Sequence, residues 1–319
     1  MADCRSENEA KEYKEAFSIV ESLVKPYRER GDQKDVLARR KWWLFKRPTI
    51  ELYNTIRSLS HCFSAARTTK HLIFSASPAN IIFSDAVYVL GTDRWDHFSI
   101  VQSTVHEVWA RKYSGALKQD LRYSPSKCFE TFPFPQGLWQ IPNNTLSDLG
   151  ERYHEHRRHL MLSLWFGLTD IYNLFHSPDL EADLRKHFAS RAKKDPQGLE
   201  IPEQHRQAAL AFTLVDAIVH IESLRHQHKE LDNAVRDAFG WSNLPLEHGF
   251  YEVETLPEND RIRFTISPAA RKEILSRLLK ENQRRAADEK DAASVSTEKI
   301  KTTRKKKNQD DNNSLSLGI

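Results

Sequence analysis

Apolar residues recur at helical spacing between Glu7 and Arg30, with Phe17, Val20, Leu23 and Val24 on one face; Pro26 is expected to end this leading helix before Gly31. A second, shorter stripe (Leu52, Ile56, Leu59) follows Thr49, which is placed to cap it. Between His61 and Gly91 the texture changes to β-rich runs, Leu72-Ile73-Phe74, Ile81-Ile82-Phe83 and Val87-Tyr88-Val89-Leu90, broken by Ser-Pro-Ala-Asn and Ser-Asp, and these predict a small sheet. Helical spacing returns from Trp95 to Tyr113 and predicts one helix whose last turn carries Arg111 and Lys112. Pro133 and Pro135 then mark a domain edge.

Beyond Asn144 amphipathic stripes predict helices over Leu146–Phe175, Leu180–Phe188 and Glu203–Phe239. A short β-like excursion (Phe250 to Val253, Arg261 to Ile266) precedes a last helix that Ser267 caps, Pro268 opens and Arg285 closes. From Ala286 aromatics vanish and Ser, Lys, Asp and Asn dominate, the composition of a disordered tail that includes Lys299 to Lys307. The expected fold class is therefore α+β. A leading helix and connector occupy 1–38, a small mixed domain 39–140, a helical bundle 141–286 and a tail 287–319.

Charge and cysteine content narrow the classes. With 319 residues and a formal net charge of +4, any affinity for a polyanion must come from local clustering. Cys4, Cys62 and Cys128 are odd in number and lack CxxC spacing, so neither a disulfide framework nor a zinc ribbon is expected, and a reducing cytoplasm is the expected setting. No apolar run reaches the ~20 residues that span a bilayer, and no membrane partner is expected.

Enzymatic motifs are sparse. His106-Glu107 opens like HExxH, but Ala110 stands where the second ligand belongs. His154, His156 and His159 are expected on a solvated helix face flanked by cations, and His226 and His228 diverge on a helix, so no metal site and no catalytic residue is assigned. Neither GxGxxG nor GxxxxGK[ST] occurs, and no Asn-Pro dipeptide exists to form the Asn/Asp-Pro-Pro-Tyr/Phe turn of an amino-methyltransferase. What remains is an interleaving of cations with Trp42, Trp43, Tyr53, Trp95, Trp109, Tyr113 and Tyr123 between Arg39 and Lys127, a pattern suited to nucleic acid. The same indoles of Trp42, Trp43 and Trp109 suit a core, and Arg57, Arg94 and Lys70 suit either solvated surface or phosphate.

Arg40-Lys41-Trp42-Trp43, the run from Ile100 to Ala110 with its Gln102-Ser103-x-x-His106, Arg122-Tyr123-Ser124, and Thr131-Phe132-Pro133-Phe134-Pro135 stand in an order that resembles the MmeI-type restriction-modification methyltransferases. Leu168 to Asn173, Leu231 to Trp241 and Arg263 to Ile266 extend the resemblance over roughly residues 10 to 285. It implies the target-recognition and C-terminal helical part of an adenine-specific DNA methyltransferase in a restriction-modification or phage-defence system. S-adenosylmethionine and the flipped adenine would lie in an upstream domain whose motifs this sequence lacks. The chain would then be a truncated product, a stand-alone fragment, or a recognition subunit that completes a separate methyltransferase subunit in trans. No cofactor is expected in the chain itself, and its partner is double-stranded DNA. Gln102, Ser103, His106 and Phe132 to Pro135 are expected to be framework. Lys112, Ser114, Lys118, Gln119, Asp120 and Arg122 carry the donor and acceptor vocabulary for reading bases, and Arg39, Arg40, Lys41, Lys46, Arg47, Arg57 and Arg67 are assigned to phosphates. Two other classes stay open: an interaction protein that no longer binds DNA, and an independent enzyme using the histidines of 154–159 with a metal.

Overall fold

A computed structural model describes residues 6–31, 36–44, 49–117 and 120–290. They fall into two compact units, one from Met1–Ser64 with Ala76–Asp93, the other from Ala65–Ser75 with Arg94–Ile319. The residues of the small mixed domain expected at 39–140 are shared between both units.

In the smaller unit α1 (Glu7–Lys11) and α2 (Lys14–Glu29) replace the single leading helix. Ser6 and Glu9 close a reciprocal capping box on α1, and the break falls after Lys11 rather than at Pro26. Pro26 lies inside α2, one turn from its end; its missing N–H removes one bond there, and the Arg30 N–H closes the last turn on the Pro26 carbonyl. The short α3 (Val36–Arg40) leads to Trp42, whose indole meets Phe17 at 5.2 Å and, with Ala10, forms this unit's helical core. Arg28 ties the segment down by donating to the carbonyls of Ala38, Lys41 and Leu44. Thr49 precedes α4 (Ile50–Ile56) as expected, but its hydroxyl makes no capping bond.

Strands β1 (Cys62–Ala66), β3 (Ser75–Ser77) and β4 (Val87–Leu90) form one sheet in the order β3-β1-β4, while β2 (Thr68–Thr69) joins a second sheet. Of the three β-rich runs only Val87–Leu90 is a strand. Leu72, Ile73 and Phe74 are all buried, and side chains take over the role of a ladder partner for Phe74. The Phe74 N–H donates to Gln102 Oε1 (2.9 Å), and its carbonyl accepts from Arg157 Nη2 (2.6 Å).

The larger unit holds the expected helix over Trp95–Tyr113 as two, α5 (Trp95–Gln102) and α6 (Thr104–Tyr113). Ser103 is extended between them (ψ 156°); its hydroxyl donates to the Ile100 carbonyl and accepts from the His106 N–H. The Thr104 N–H, freed by the break, donates to buried Asp232 at 2.7 Å. Strands β5 (Gly115–Leu117) and β6 (Asp120–Arg122) complete the second sheet, order β2-β6-β5.

The helical part comprises α7 (Asn144–Leu164), α8 (Leu168–Phe175), α9 (Leu180–Lys194), α10 (Glu203–Ala211), α11 (Leu214–Ala238) and α12, helical from 268 to 290. The stripe through 146–175 breaks because Trp165 is left-handed (φ 53°), and that through 203–239 breaks where Thr213 and Asp216 form a capping box. Strands β7 (Gly249–Glu252) and β8 (Ile262–Thr265) pair antiparallel before α12, which Ser267 caps through the Ala270 N–H. Helix α12 continues past Arg285 to 290, and the expected tail from 291 lies outside the described residues. Among the described residues no single helix is long and apolar enough to cross a membrane.

Helices α5 and α7 cross closely at Gly150, where a Cβ would lie 2.7 Å from the Trp95 carbonyl. Two turns further on, Arg157 is only 1 % exposed and donates to Gln102 Oε1 (3.2 Å), Tyr172 OH (3.0 Å), the Phe74 carbonyl and Ser75 Oγ (3.2 Å). Several imidazoles are buried in the same unit, His71, His106 and His154 among them. His106 lies edge-on to Phe132 with Nε2 3.0 Å from Tyr123 OH, His71 faces Asn173 and Arg263, and His154 packs between Trp95 and Phe98. Burial lowers His106 to about 3. Burial, aided by Arg263 at His71 and Arg157 at His154, lowers each of those to about 4.

Two outcomes follow for stability. Arg157→Leu leaves the Phe74 carbonyl without its side-chain donor and removes one of the two donors to Gln102 Oε1 in a closed interior, and is expected to cost about 2–4 kcal/mol in urea unfolding. Because the three histidines bind protons more weakly folded than unfolded, stability is full above pH 6.5 and falls as pH drops toward 4. The loss should approach about 1 kcal/mol per histidine by pH 5.5, and His106→Gln should flatten the slope of urea midpoint against pH.

Candidate nucleic-acid interface

Strand β6 alternates by burial: Asp120 and Arg122 are exposed, Leu121 and Tyr123 buried. The inward pair anchors the ribbon, with Tyr123 OH on His106 and the Tyr123 N–H donated to the Arg67 carbonyl at 3.0 Å. Arg122 therefore stands opposite Thr68 on one side and Gly115 on the other, and Asp120 stands opposite Leu117. Directly opposed side chains share a face, so Thr68, Arg122, Gly115, Asp120 and Leu117 form one outward grid. All three residues of β5 are exposed, so the ribbon stands clear of its own unit on both faces there.

Lys112, at the end of α6, is exposed, whereas its neighbour Arg111 is held by Glu107 at 2.7 Å. Ser114 departs from the expected base-reading role. Its hydroxyl donates to Cys128 Sγ (3.1 Å) and accepts from the Ser124 N–H (3.3 Å), fastening the start of the ribbon to the turn Pro125–Phe129. Burial raises the Cys128 thiol, which stays protonated and donates to the Ser124 carbonyl. Lys118 and Gln119 lie outside the described residues, as do Lys46 and Arg47.

The cations assigned to phosphate do not form one set. Arg39, Arg40, Lys41 and Arg57 belong to the smaller unit, with Arg40, Lys41 and Arg57 exposed and Arg39 half-buried; Arg67, half-buried beside Arg122's strand, belongs to the larger. Arg57 lines a cleft of about 470 Å³ with Tyr53, Asn80, Ile81 and Ile82. Arg94 and Lys70 are committed internally, Arg94 to Asp96 and the Leu138 carbonyl and Lys70 to Asp260 at 2.7 Å. Trp42, Trp109 and Tyr123 are buried and cannot stack on bases, and Tyr113 covers Trp109 at 4.2 Å.

The histidine run is not a solvated face throughout. His154 is buried, His156 Nε2 lies 2.9 Å from the His220 carbonyl, and only His159 is exposed. Among the described residues no group of three or more His, Cys, Asp or Glu could hold a metal. His106 and Glu107, the opening of the HExxH near-match, are taken by Tyr123 and Arg111.

Comparison with known proteins locates the ribbon within a family. Residues 5–136 match the model described as "MmeI, target recognition domain". The match thus begins before the leading helices and ends at the Phe-Pro-Phe-Pro segment. A 58-residue stretch is 36% identical to DNA methyltransferase A of Bacillus subtilis (strain 168), covering 18% of this chain and 7% of that protein. The solved complex of the type IIL restriction-modification enzyme MmeI with DNA aligns over 89% of this chain and 28% of that one, with 16% identity and a TM-score of 0.48. The chain therefore spans well under a third of the length of either relative.

Within the target recognition domain the residues that sequence reasoning missed are Thr68, Gly115 and Leu117. Their signal is the register of β2, β5 and β6, which strands of two or three residues do not announce. Ser114→Ala is expected to cost about 1 kcal/mol by leaving the Ser124 N–H unpaired. Gly115→Ala, where an added Cβ meets nothing within 4 Å, should stay within about 0.5–1 kcal/mol of wild type; urea unfolding of both variants checks the contrast.

Proposed function

We propose that this chain reads a specific sequence in double-stranded DNA as the recognition part of an adenine-N6 methyltransferase in a restriction-modification or phage-defence system. The observation that carries the reading is the outward pair Asp120 and Arg122 on an antiparallel ribbon inside the matched domain. A two-stranded ribbon fits the major groove, and past the two residues of β2 the sheet narrows to β5 and β6 at Leu117 and Asp120; in that groove guanidinium groups pair with guanine O6 and N7 and carboxylates accept from the cytosine amino group. Lys112 at the base of the ribbon, and Lys118 and Gln119 in the sequence between its strands, extend that vocabulary. Arg39, Arg40, Lys41, Lys46, Arg47, Arg57 and Arg67 contact phosphates, which position the protein without reading sequence.

This reading leaves the chemistry to another portion. The sequence offers neither a glycine-rich strand-to-helix turn nor an Asn/Asp-Pro-Pro-Tyr/Phe turn, so its residues do not fit S-adenosylmethionine and no methyl-transfer step is assigned to them. The cofactor and flipped adenine belong to a methyltransferase portion, joined to this chain or supplied as a separate subunit. On this reading recognition falls to 39–140 with the leading helices of the matched segment, helical support to 141–290, as far as α12 is described, and the rest of the chain is a polar tail. The setting is the cytoplasm.

The test is selection from a random duplex pool at two salt concentrations, with enriched sequences read out. One short motif should emerge. Arg122→Ala should weaken binding to it by about 5- to 150-fold and relax the preference at one position. Lys41→Ala should weaken all duplexes alike and reduce the salt slope by about 0.9. Binding without any sequence preference, or none at low salt, overturns the proposal.

A further inference from the structure

We infer that Leu117 is a specificity-determining residue that reads thymine through its C5-methyl group; the assignment rests on the proposed entry of the ribbon into the major groove. Leu117 is 52% exposed, the last described residue of β5, and shares the outward face with Asp120 and Arg122. A single exposed leucine is ordinary on a protein surface. This one is set apart by its position, directly across from Asp120, on a strand whose neighbours Gly115 and Ala116 are exposed too.

The chemistry of the groove supplies the match. Among the major-groove edges of the four bases the thymine methyl is the apolar group; the rest are donors and acceptors. Arg122 and Asp120 have the complement of those donors and acceptors, and Leu117 has the complement of the methyl. Opposed side chains on an antiparallel pair stand about 5 Å apart, and bases rise about 3.4 Å along a strand, so Leu117 meets a base one or two steps from the one read by Asp120. Burying one methyl group against an aliphatic side chain is worth about 0.8 kcal/mol, or about fourfold in affinity.

Replacing thymine by deoxyuridine removes that methyl and nothing else. Starting from the enriched duplex, each thymine is replaced in turn and affinity measured for the full chain and for Leu117→Ala, whose folding is checked by urea unfolding. Wild type should lose about fourfold at one thymine. Leu117→Ala should lose the same amount on the unmodified duplex, become indifferent to the replacement, and keep the preferences at the Arg122 and Asp120 positions. Indifference of wild type to every replacement, an unchanged response in Leu117→Ala, or a motif without an A·T pair overturns the assignment while leaving sequence recognition intact. The absence of any enriched motif removes recognition and this assignment together.

Discussion

A buried guanidinium with no carboxylate of its own organises the larger unit. Arg157 reaches the Phe74 carbonyl, Ser75, Gln102 and Tyr172, and Gln102 in turn binds the Phe74 N–H, so a loop that forms no ladder at Phe74 is satisfied by two side chains from two helices. Tyr172 passes the connection to Tyr153 at 2.7 Å. Because an unpaired buried polar group costs more than a pair gains, these bonds fix the loop's position to within the tolerance of a hydrogen bond. The loop leads directly from β2, the strand that pairs with β6, so the register of the outward ribbon depends on this inner network.

The same logic recurs at Arg225 and Arg263. Arg225 donates to the carbonyls of Leu174, Phe175 and Ser177, and Arg263 to the Asp260 carbonyl and His71. These arginines are occupied as structural donors. The cations left for a polyanion are those on exposed positions, and 48 Lys and Arg against 44 Asp and Glu leave a formal net charge of only +4. In the proposed reading recognition leans on placement: Arg122 is presented outward because Leu121 and Tyr123 hold its strand, not because the surface is strongly basic.

Helix-scale features were legible along the chain because they rest on local rules. The cap of α12 at Ser267 and Pro268, the short α4 and the helical character after Asn144 follow from capping chemistry and 3.6-residue periodicity. Breaks were harder to read. Ser103 divides α5 from α6 because Asp232, more than a hundred residues away, takes the Thr104 N–H, and no window around Ser103 contains that acceptor. Leu72-Ile73-Phe74 imitates a strand because full burial looks the same whether a sheet or side chains satisfy the backbone. His154 looks solvated among charged neighbours, yet Trp95 and Phe98 enclose it.

The candidate site divides in the same way. Residue types alone marked Lys112 to Arg122 as a stretch able to read bases, since donors, acceptors and charge are properties of side chains wherever they sit. Which of them face outward is set by strand pairing: Asp120 and Arg122 point away from the core, Ser114 is turned inward onto Cys128, and Leu117 joins the outward face. Composition and periodicity determined the α+β class, the helical C-terminal half and the chemical vocabulary. Tertiary structure decided the helix breaks, the buried histidines and the membership of the outward face, because each depends on partners distant in sequence whose burial makes their hydrogen bonds obligatory.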